Sequence, residues 1–328
     1  MNTRDTQTVE QLMALTEDER REMLMMKEEV RLPTVINRSL DVYFRFLLAY
    51  PARIELLKDL VNSIFVALGR PPIKALELRN SEQAPLSHGN KHTRLDISAT
   101  DRKGRILDIE LQRENHSGFI ARTLMYLDKL FVSQLRSGKD YVSLKSTIVI
   151  NLLAFDMFDT ERALWNFLFM NPPTGKILTD MQEIFYLEML KVHRRLAAVR
   201  EKVKANPNYT LTDEERLWVW GGYMTNDESG VAVVQTTADA VFQQVNDAEK
   251  EYWSSWAVQY RQFQEEMAEM DQRAFLSDAI NKGLAQGLQE GRAEGEAKGR
   301  AEGLTIAASR MRAAGMSEED IRRFTSLE

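Results

Sequence analysis

Acidic residues recur on one face of a predicted β-hairpin at residues 94–112, RLDISATDRKGRILDIELQ. Asp96, Asp108 and Glu110 fall at alternating positions, although acidic residues are depleted in strands. Apolar residues alternate with them in the period-two pattern of a half-buried strand. Carboxylates on neighbouring strands repel each other unless a cation lies between them, and Mg²⁺ prefers such oxygen ligands. The pattern therefore favours a metal site, and a solvated hairpin face is the alternative.

The turn of the hairpin sets its register. Arg102-Lys103-Gly104 is a three-residue loop, with glycine where the turn needs a left-handed conformation. This loop pairs Ile97 with Ile109 and matches the apolar faces of the two strands, whereas a four-residue loop would mix the faces. We therefore expect the three-residue loop.

The same register predicts the neighbours on the polar face. Asp96 falls opposite Glu110, and Arg94 falls opposite Gln112. In phosphodiester hydrolysis, a metal held by Asp96 and Glu110 would lower the pKa of a bound water, and Gln112 would orient that water. Asp108 lies on the same face, either as an outer-shell ligand or as a solvated residue.

The elements around the hairpin indicate an α/β or α+β protein. Helical periodicity predicts helices over residues 8–30, 40–48, 53–68 and 119–135. Runs of β-branched and apolar residues predict strands over 73–78, 143–155 and 181–192. The hairpin therefore belongs to a sheet that is flanked by helices.

Composition narrows the possible environments and partners of the 328-residue chain. It has no cysteine, which excludes disulfides and thiolate metal sites. A charged N-terminus and the lack of a long apolar run predict a soluble, cytoplasmic protein without membrane contact. The net charge is −6, yet residues 34–145 contain 18 basic and 12 acidic residues. A basic block around an acidic hairpin suits a polyanionic substrate.

The C-terminal region has a glycine every fourth residue, from Gly283 to Gly303. Because a helix turns every 3.6 residues, these glycines form a slowly winding stripe. The stripe predicts either close helix–helix contact in a homo-oligomer or a half-ordered tether. Gly315 is predicted to end one helix, and Ser317 to begin another.

The hairpin resembles motifs II and III of the PD-(D/E)XK nuclease fold. In particular, D-I-E-L-Q at 108–112 resembles the recombination-promoting nuclease and putative transposase group, in which glutamine typically replaces the terminal lysine. IELLKDLVNSIF at 54–65 and ARTLMYLDKLFVSQLRSGKDY at 121–141 resemble helices of that group. The resemblance implies an α/β core, with a mixed central sheet flanked by helices and an extended helical C-terminal region. It also implies a Mg²⁺-dependent DNA endonuclease, with Mn²⁺ as a possible substitute, linked to recombination or mobile elements.

The resemblance assigns roles to individual residues. Asp96 and Glu110 match the metal ligands, and Gln112 replaces the lysine. The remaining superfamily acid lies on the first core helix, where Glu55 is the best match and Asp59 is the alternative.

The helix after the hairpin offers candidate contacts to DNA. Arg122 and Tyr126 are four residues apart and share one helix face. Arg122 would contact a phosphate or form a structural ion pair, and Arg94 is a further candidate.

Four segments follow from these observations. We expect an N-terminal helical segment at 1–33, a nuclease-like domain at 34–230, a helical region at 231–304 and a short helical module at 305–328. The leading hypothesis is an endonuclease. The alternatives are a catalytically weak, nuclease-like DNA-binding or oligomeric scaffold, and a protein-interaction module built on the acidic helices.

Overall fold

A computed structural model describes residues 34–79, 82–83, 93–94, 96–135 and 140–325. The predicted helix at 8–30 lies outside these residues. The chain divides into two compact units, of which the first ends at Glu265 and the second spans Glu266–Glu328. No helix of the described ranges is both long and apolar enough to cross a membrane.

Along the described chain two helices come first, five strands, one helix and three strands follow, and six helices end it. The helices are α1 (Asp41–Leu48), α2 (Ile54–Ala67), α3 (Phe119–Val132), α4 (His193–Ala205), α5 (Asp213–Met224), α6 (Glu228–Thr236), α7 (Ala240–Ser254), α8 (Trp256–Ala313) and α9 (Glu318–Thr325). The strands are β1 (Leu76–Leu78), β2 (Glu82–Gln83), β3 (Thr93–Arg94), β4 (Ile97–Asp101), β5 (Ile106–Gln112), β6 (Thr147–Leu153), β7 (Leu164–Asn171) and β8 (Lys176–Glu188).

Six strands form a mixed sheet in the order β1-β4-β5-β6-β8-β7. The central strands β5, β6 and β8 are parallel, and the outer pairings are antiparallel. The predicted α/β fold with a mixed central sheet is confirmed. Strand β7 was not predicted, because it alternates weakly and its side chains are at most half-buried. Helices α4, α5 and α6 were not predicted either, whereas the strand predicted at 181–192 corresponds to β8.

The predicted hairpin register is confirmed between β4 and β5. Ile97 pairs with Ile109, and Gly104 adopts a φ of +79° in the turn. The expected pairing of Arg94 is wrong, because Arg94 lies opposite Glu82 in the separate two-stranded sheet of β2 and β3. The ladder between β4 and β5 starts only at Ile97, so Asp96 lies at the entrance to the strand rather than within it.

The two faces of the sheet have different neighbours. The apolar side chains of the hairpin, including Ile97 and Ile109, join a large core with α2, α5 and α7. On the opposite face, Phe119 and Leu127 of α3 pack on Val149 and Tyr186 of β6 and β8. Helix α3 therefore covers the face of the sheet to which the acidic residues of the hairpin belong.

The second unit contains most of α8 and all of α9. The predicted helix end at Gly315 is confirmed by a φ of +81°, and the hydroxyl of Ser317 accepts the backbone N–H of Asp320 at 3.2 Å. A Cβ atom at Gly283 or at any later glycine of α8 would meet no heavy atom within 4 Å. The described chain itself therefore gives no steric reason for the glycine stripe.

Candidate active site

Asp96 and Glu110 lock the end of the hairpin together through their side chains. The backbone N–H of Asp96 donates to Oε1 of Glu110 at 3.1 Å, and the N–H of Leu111 donates to Oδ2 of Asp96 at 3.0 Å. Each carboxylate thus accepts a backbone N–H that a main-chain carbonyl would accept if the strand ladder continued. The sequence predicted this juxtaposition, and the structure brings the two residues together.

Asp108 lies one step deeper on the same face. Its side chain is fully buried, and neither carboxylate oxygen has a hydrogen-bond donor among the described residues. The hydroxyl of Ser98, which pairs with Asp108 across the hairpin, is also without a partner in the described ranges. The expectation of a solvated Asp108 is therefore wrong, because the strand pairing and helix α3 close this position to water.

Burial and mutual repulsion disfavour the charged forms of these acids. Burial raises the pKa of Asp96 to about 7, and the nearby charge of Asp41 adds to this effect. The pKa values of Asp108 and Glu110 are also raised well above normal, first by burial and then by the neighbouring carboxylates. Such perturbation is common at functional sites, where like charges are held together.

Gln112 and two residues of α3 form the rim of this cluster. The amide oxygen of Gln112 accepts a hydrogen bond from Arg122, and its Nε2 donates to the carbonyl of Glu114 at 2.8 Å. Tyr126 is half-buried, and its pKa is raised by burial and by the charge of Glu110. No ion pair joins Arg122 to any residue that the structure describes, so the structural ion pair expected as one alternative for Arg122 is not formed there.

Helix α1 adds an acid that sequence reasoning missed. Asp41 is the largest charged contributor to the raised pKa of Asp96, and Arg45 of the same helix acts in the opposite direction. The guanidinium of Arg45 and the carboxylate of Asp41 lie 4.0 Å apart. An acid in the first turn of a helix is also what the helix dipole favours, so the local sequence carried no specific signal for this role.

The two acids expected on α2 have other partners. Glu55 is exposed and pairs with Lys58 on its own helix. Asp59 accepts hydrogen bonds from Arg216 at 3.0 Å and from the indole of Trp220 at 2.7 Å. Among the contacts of the described residues, none connects Glu55 or Asp59 to the hairpin.

The donor set of the site suits a hard divalent cation. One oxygen of Asp96 and one of Glu110 accept backbone N–H groups, and both oxygens of the buried Asp108 lack donors among the described residues. Carboxylate oxygens without sulfur or imidazole ligands favour Mg²⁺ or Mn²⁺. In the part of the chain that the structure describes, no three acidic or histidine side chains already form a complete metal site.

The fold and the acidic hairpin define a nuclease-like α/β protein. The family model described as PD-(D/E)XK nuclease family transposase matches residues 38–279, which is most of the chain, and the protein belongs to this family. Neither the search of curated proteins nor the search of solved structures returned a significant match.

Proposed function

We propose that the protein is a metal-dependent endonuclease that hydrolyses phosphodiester bonds in DNA. The interlocked carboxylates of Asp96 and Glu110, with the buried Asp108 beside them, carry this proposal. Three acids in one buried cluster are unfavourable without a compensating cation. A divalent metal ion would offset this cost, and it would also neutralise charge on the phosphate during phosphodiester hydrolysis.

Asp96 and Glu110 would hold Mg²⁺, for which Mn²⁺ is a possible substitute. When bound, the ion would acidify a water and neutralise charge that develops on the phosphate. Gln112 keeps one amide hydrogen beyond its bond to Glu114, and this hydrogen would orient the attacking water. Asp41 on α1, whose charge acts on Asp96, would take the role of the acid that the family resemblance places on α2 at Glu55 or Asp59.

The basic block at 34–145 would bind the DNA backbone. Arg122 and Tyr126 lie at the rim of the acidic cluster, and the backbone of Arg94 lies in β3. Arg79 is a further candidate, because it donates to Thr100 at 3.2 Å and no ion pair joins it to a described residue. Contacts to phosphate of this kind are salt-dependent and carry little sequence information. An involvement in recombination follows from the family and remains part of the proposal.

Plasmid nicking by the purified full-length protein tests the proposal. Cleavage should occur with Mg²⁺ or Mn²⁺ and stop in EDTA. The Asp96→Ala and Glu110→Ala variants should each lose activity by about a thousandfold or more, since a metal ligand supplies several kcal/mol of transition-state stabilisation. Asp159→Ala is the matched control, because Asp159 is an exposed acid outside the cluster.

The same samples separate the alternatives. Calorimetry with Mn²⁺ should detect binding to the wild type and to Asp159→Ala, and weaker binding to Asp96→Ala. Cleavage that survives in both ligand variants would contradict the site assignment. DNA binding without cleavage under any metal would instead support the nuclease-like scaffold. The cytoplasmic location and the homo-oligomer through the C-terminal helical region stay predictions.

A further inference from the structure

Arg122 differs from five other buried or half-buried arginines of the first unit. Each of these five arginines lies within 4 Å of a carboxylate, which neutralises its charge. The pairs are Arg38–Glu249, Arg53–Glu251, Arg70–Glu183, Arg105–Asp101 and Arg216–Asp59. In the described part of the chain, the one hydrogen bond of Arg122 goes to the neutral amide oxygen of Gln112. Its charge is therefore not compensated by an ion pair.

The position of Arg122 is fixed from three sides. Its guanidinium lies 5.6 Å from the ring centre of Phe119 and 6.0 Å from that of Tyr126. On the third side Gln112 accepts its hydrogen bond, and the bond from Gln112 to the carbonyl of Glu114 holds the amide in place. A guanidinium has five N–H donors in a planar fork, so most of them stay available to a phosphate.

The charge of Arg122 acts on both proposed metal ligands. It opposes the rise in the pKa of Asp96 and of Glu110. Gln112 lies two residues after the ligand Glu110 on the same face of β5, where the superfamily resemblance expects a lysine. Its side chain has no charge. A cation is therefore present beside the ligands, but it comes from α3 instead of the hairpin.

We propose that Arg122 supplies the positive charge of the catalytic centre by binding the phosphate that is cleaved, and that Gln112 is its positioning residue. This inference rests on the proposed endonuclease function. The guanidinium keeps its protons throughout the reaction, so it stabilises charge on the phosphate without transferring a proton. Gln112 thereby acts through Arg122 as well as on water.

A charge-relocation experiment tests the inference in the full-length protein. Arg122→Gln should lower the plasmid cleavage rate at saturating DNA by about a hundredfold, as expected for the loss of one stabilising donor. Arg122→Lys should retain most of the activity because the charge is kept. The double variant Gln112→Lys with Arg122→Gln should cleave at least tenfold faster than Arg122→Gln alone, because the charge returns from the hairpin. Arg194→Gln is the matched control, because Arg194 is an exposed arginine outside the basic block at 34–145.

Binding of a DNA duplex in Ca²⁺ gives a second measurement that needs no cleavage. Arg122→Gln should weaken this binding, whereas Arg194→Gln should leave it unchanged. If the wild type binds DNA in this manner but never cleaves it, the proposed function fails and the phosphate contact of Arg122 stands. If Arg122→Gln cleaves and binds like the wild type, or if the double variant shows no recovery, the inference is wrong. If thermal melting shows that Arg122→Gln is unfolded, the Arg122→Met variant is used in its place in each comparison, because methionine retains the packing against Phe119.

Discussion

Two fully buried carboxyl groups of the same sheet have opposite surroundings. Glu188, at the end of β8, accepts the backbone N–H groups of Met157 at 2.6 Å and Phe158 at 2.9 Å, and the indole N–H of Trp165 at 2.8 Å. Lys191 lies 2.8 Å from it. Asp108, on β5, has no donor among the described residues and faces other acids.

The difference separates an acid that stabilises the fold from one that depends on a ligand. Burial tends to raise the pKa of Glu188, yet the hydrogen bonds from Lys191 and the backbone outweigh it and lower the pKa. At Asp108 burial acts in the same direction as the charge of Asp96, and the pKa rises well above normal. A fully paired buried acid is structural, whereas an unpaired acid beside two others needs protons or a cation.

Removing Glu188 should have the largest effect on stability. Glu188→Ala leaves the ammonium of Lys191 in a site where its side chain is only 9% exposed. We expect the free energy of unfolding to fall by about 3–5 kcal/mol, as for other broken buried ion pairs. Urea denaturation measures this loss, and the Glu161→Ala control breaks only the exposed pair with Arg194. Equal stability of the two variants would show that the Glu188 contacts do not stabilise the fold.

The pH dependence of stability in EDTA should follow the acidic cluster. Asp96 has a pKa of about 7 in the folded protein, well above that of an unfolded aspartate, so the folded state binds more protons between these values. The free energy of unfolding should therefore fall as pH rises, by about 2 kcal/mol between pH 5.5 and 7 for one such group. Because the pKa of Glu188 is lowered, the contribution of Glu188 to stability is lost only at more acidic pH.

Urea denaturation across this pH range measures the fall, and Asp96→Asn is the comparison variant. Its stability should change less with pH, because the amide does not titrate. A wild-type protein whose stability rises from pH 5.5 to 7 would contradict the assignment of a raised pKa to Asp96.

Replacing Asp108 should have the smallest effect and the opposite sign to that of Glu188→Ala. Asp108→Asn removes one buried acid and provides an amide donor for Glu110, so the free energy of unfolding in EDTA at pH 8 should rise by about 1 kcal/mol. Thermal melting in parallel with calorimetric Mn²⁺ titration checks both stability and metal affinity. A loss of stability similar to that of Glu188→Ala would mean that Asp108 also has a structural role.

The hairpin could be predicted because the sequence signals that define it are local. Strict alternation of apolar residues with a glycine at residue 104 defines both the turn and the pairing of Ile97 with Ile109. The juxtaposition of Asp96 and Glu110 follows from that register. The prediction failed at Arg94, because side-chain hydrogen bonds end the ladder at Asp96 and the chain then pairs elsewhere.

By itself the sequence determined the hairpin, most of the surrounding elements and the resemblance to the family, since periodicity and turn chemistry act over a few residues. Only the tertiary structure decided that Asp41 comes near Asp96 while Asp59 is bound by Arg216. It also decided that α3 buries Asp108 and brings Arg122 to Gln112. These contacts depend on which faces of distant elements pack together, and the free energy of that packing is shared among many side chains that no local pattern records.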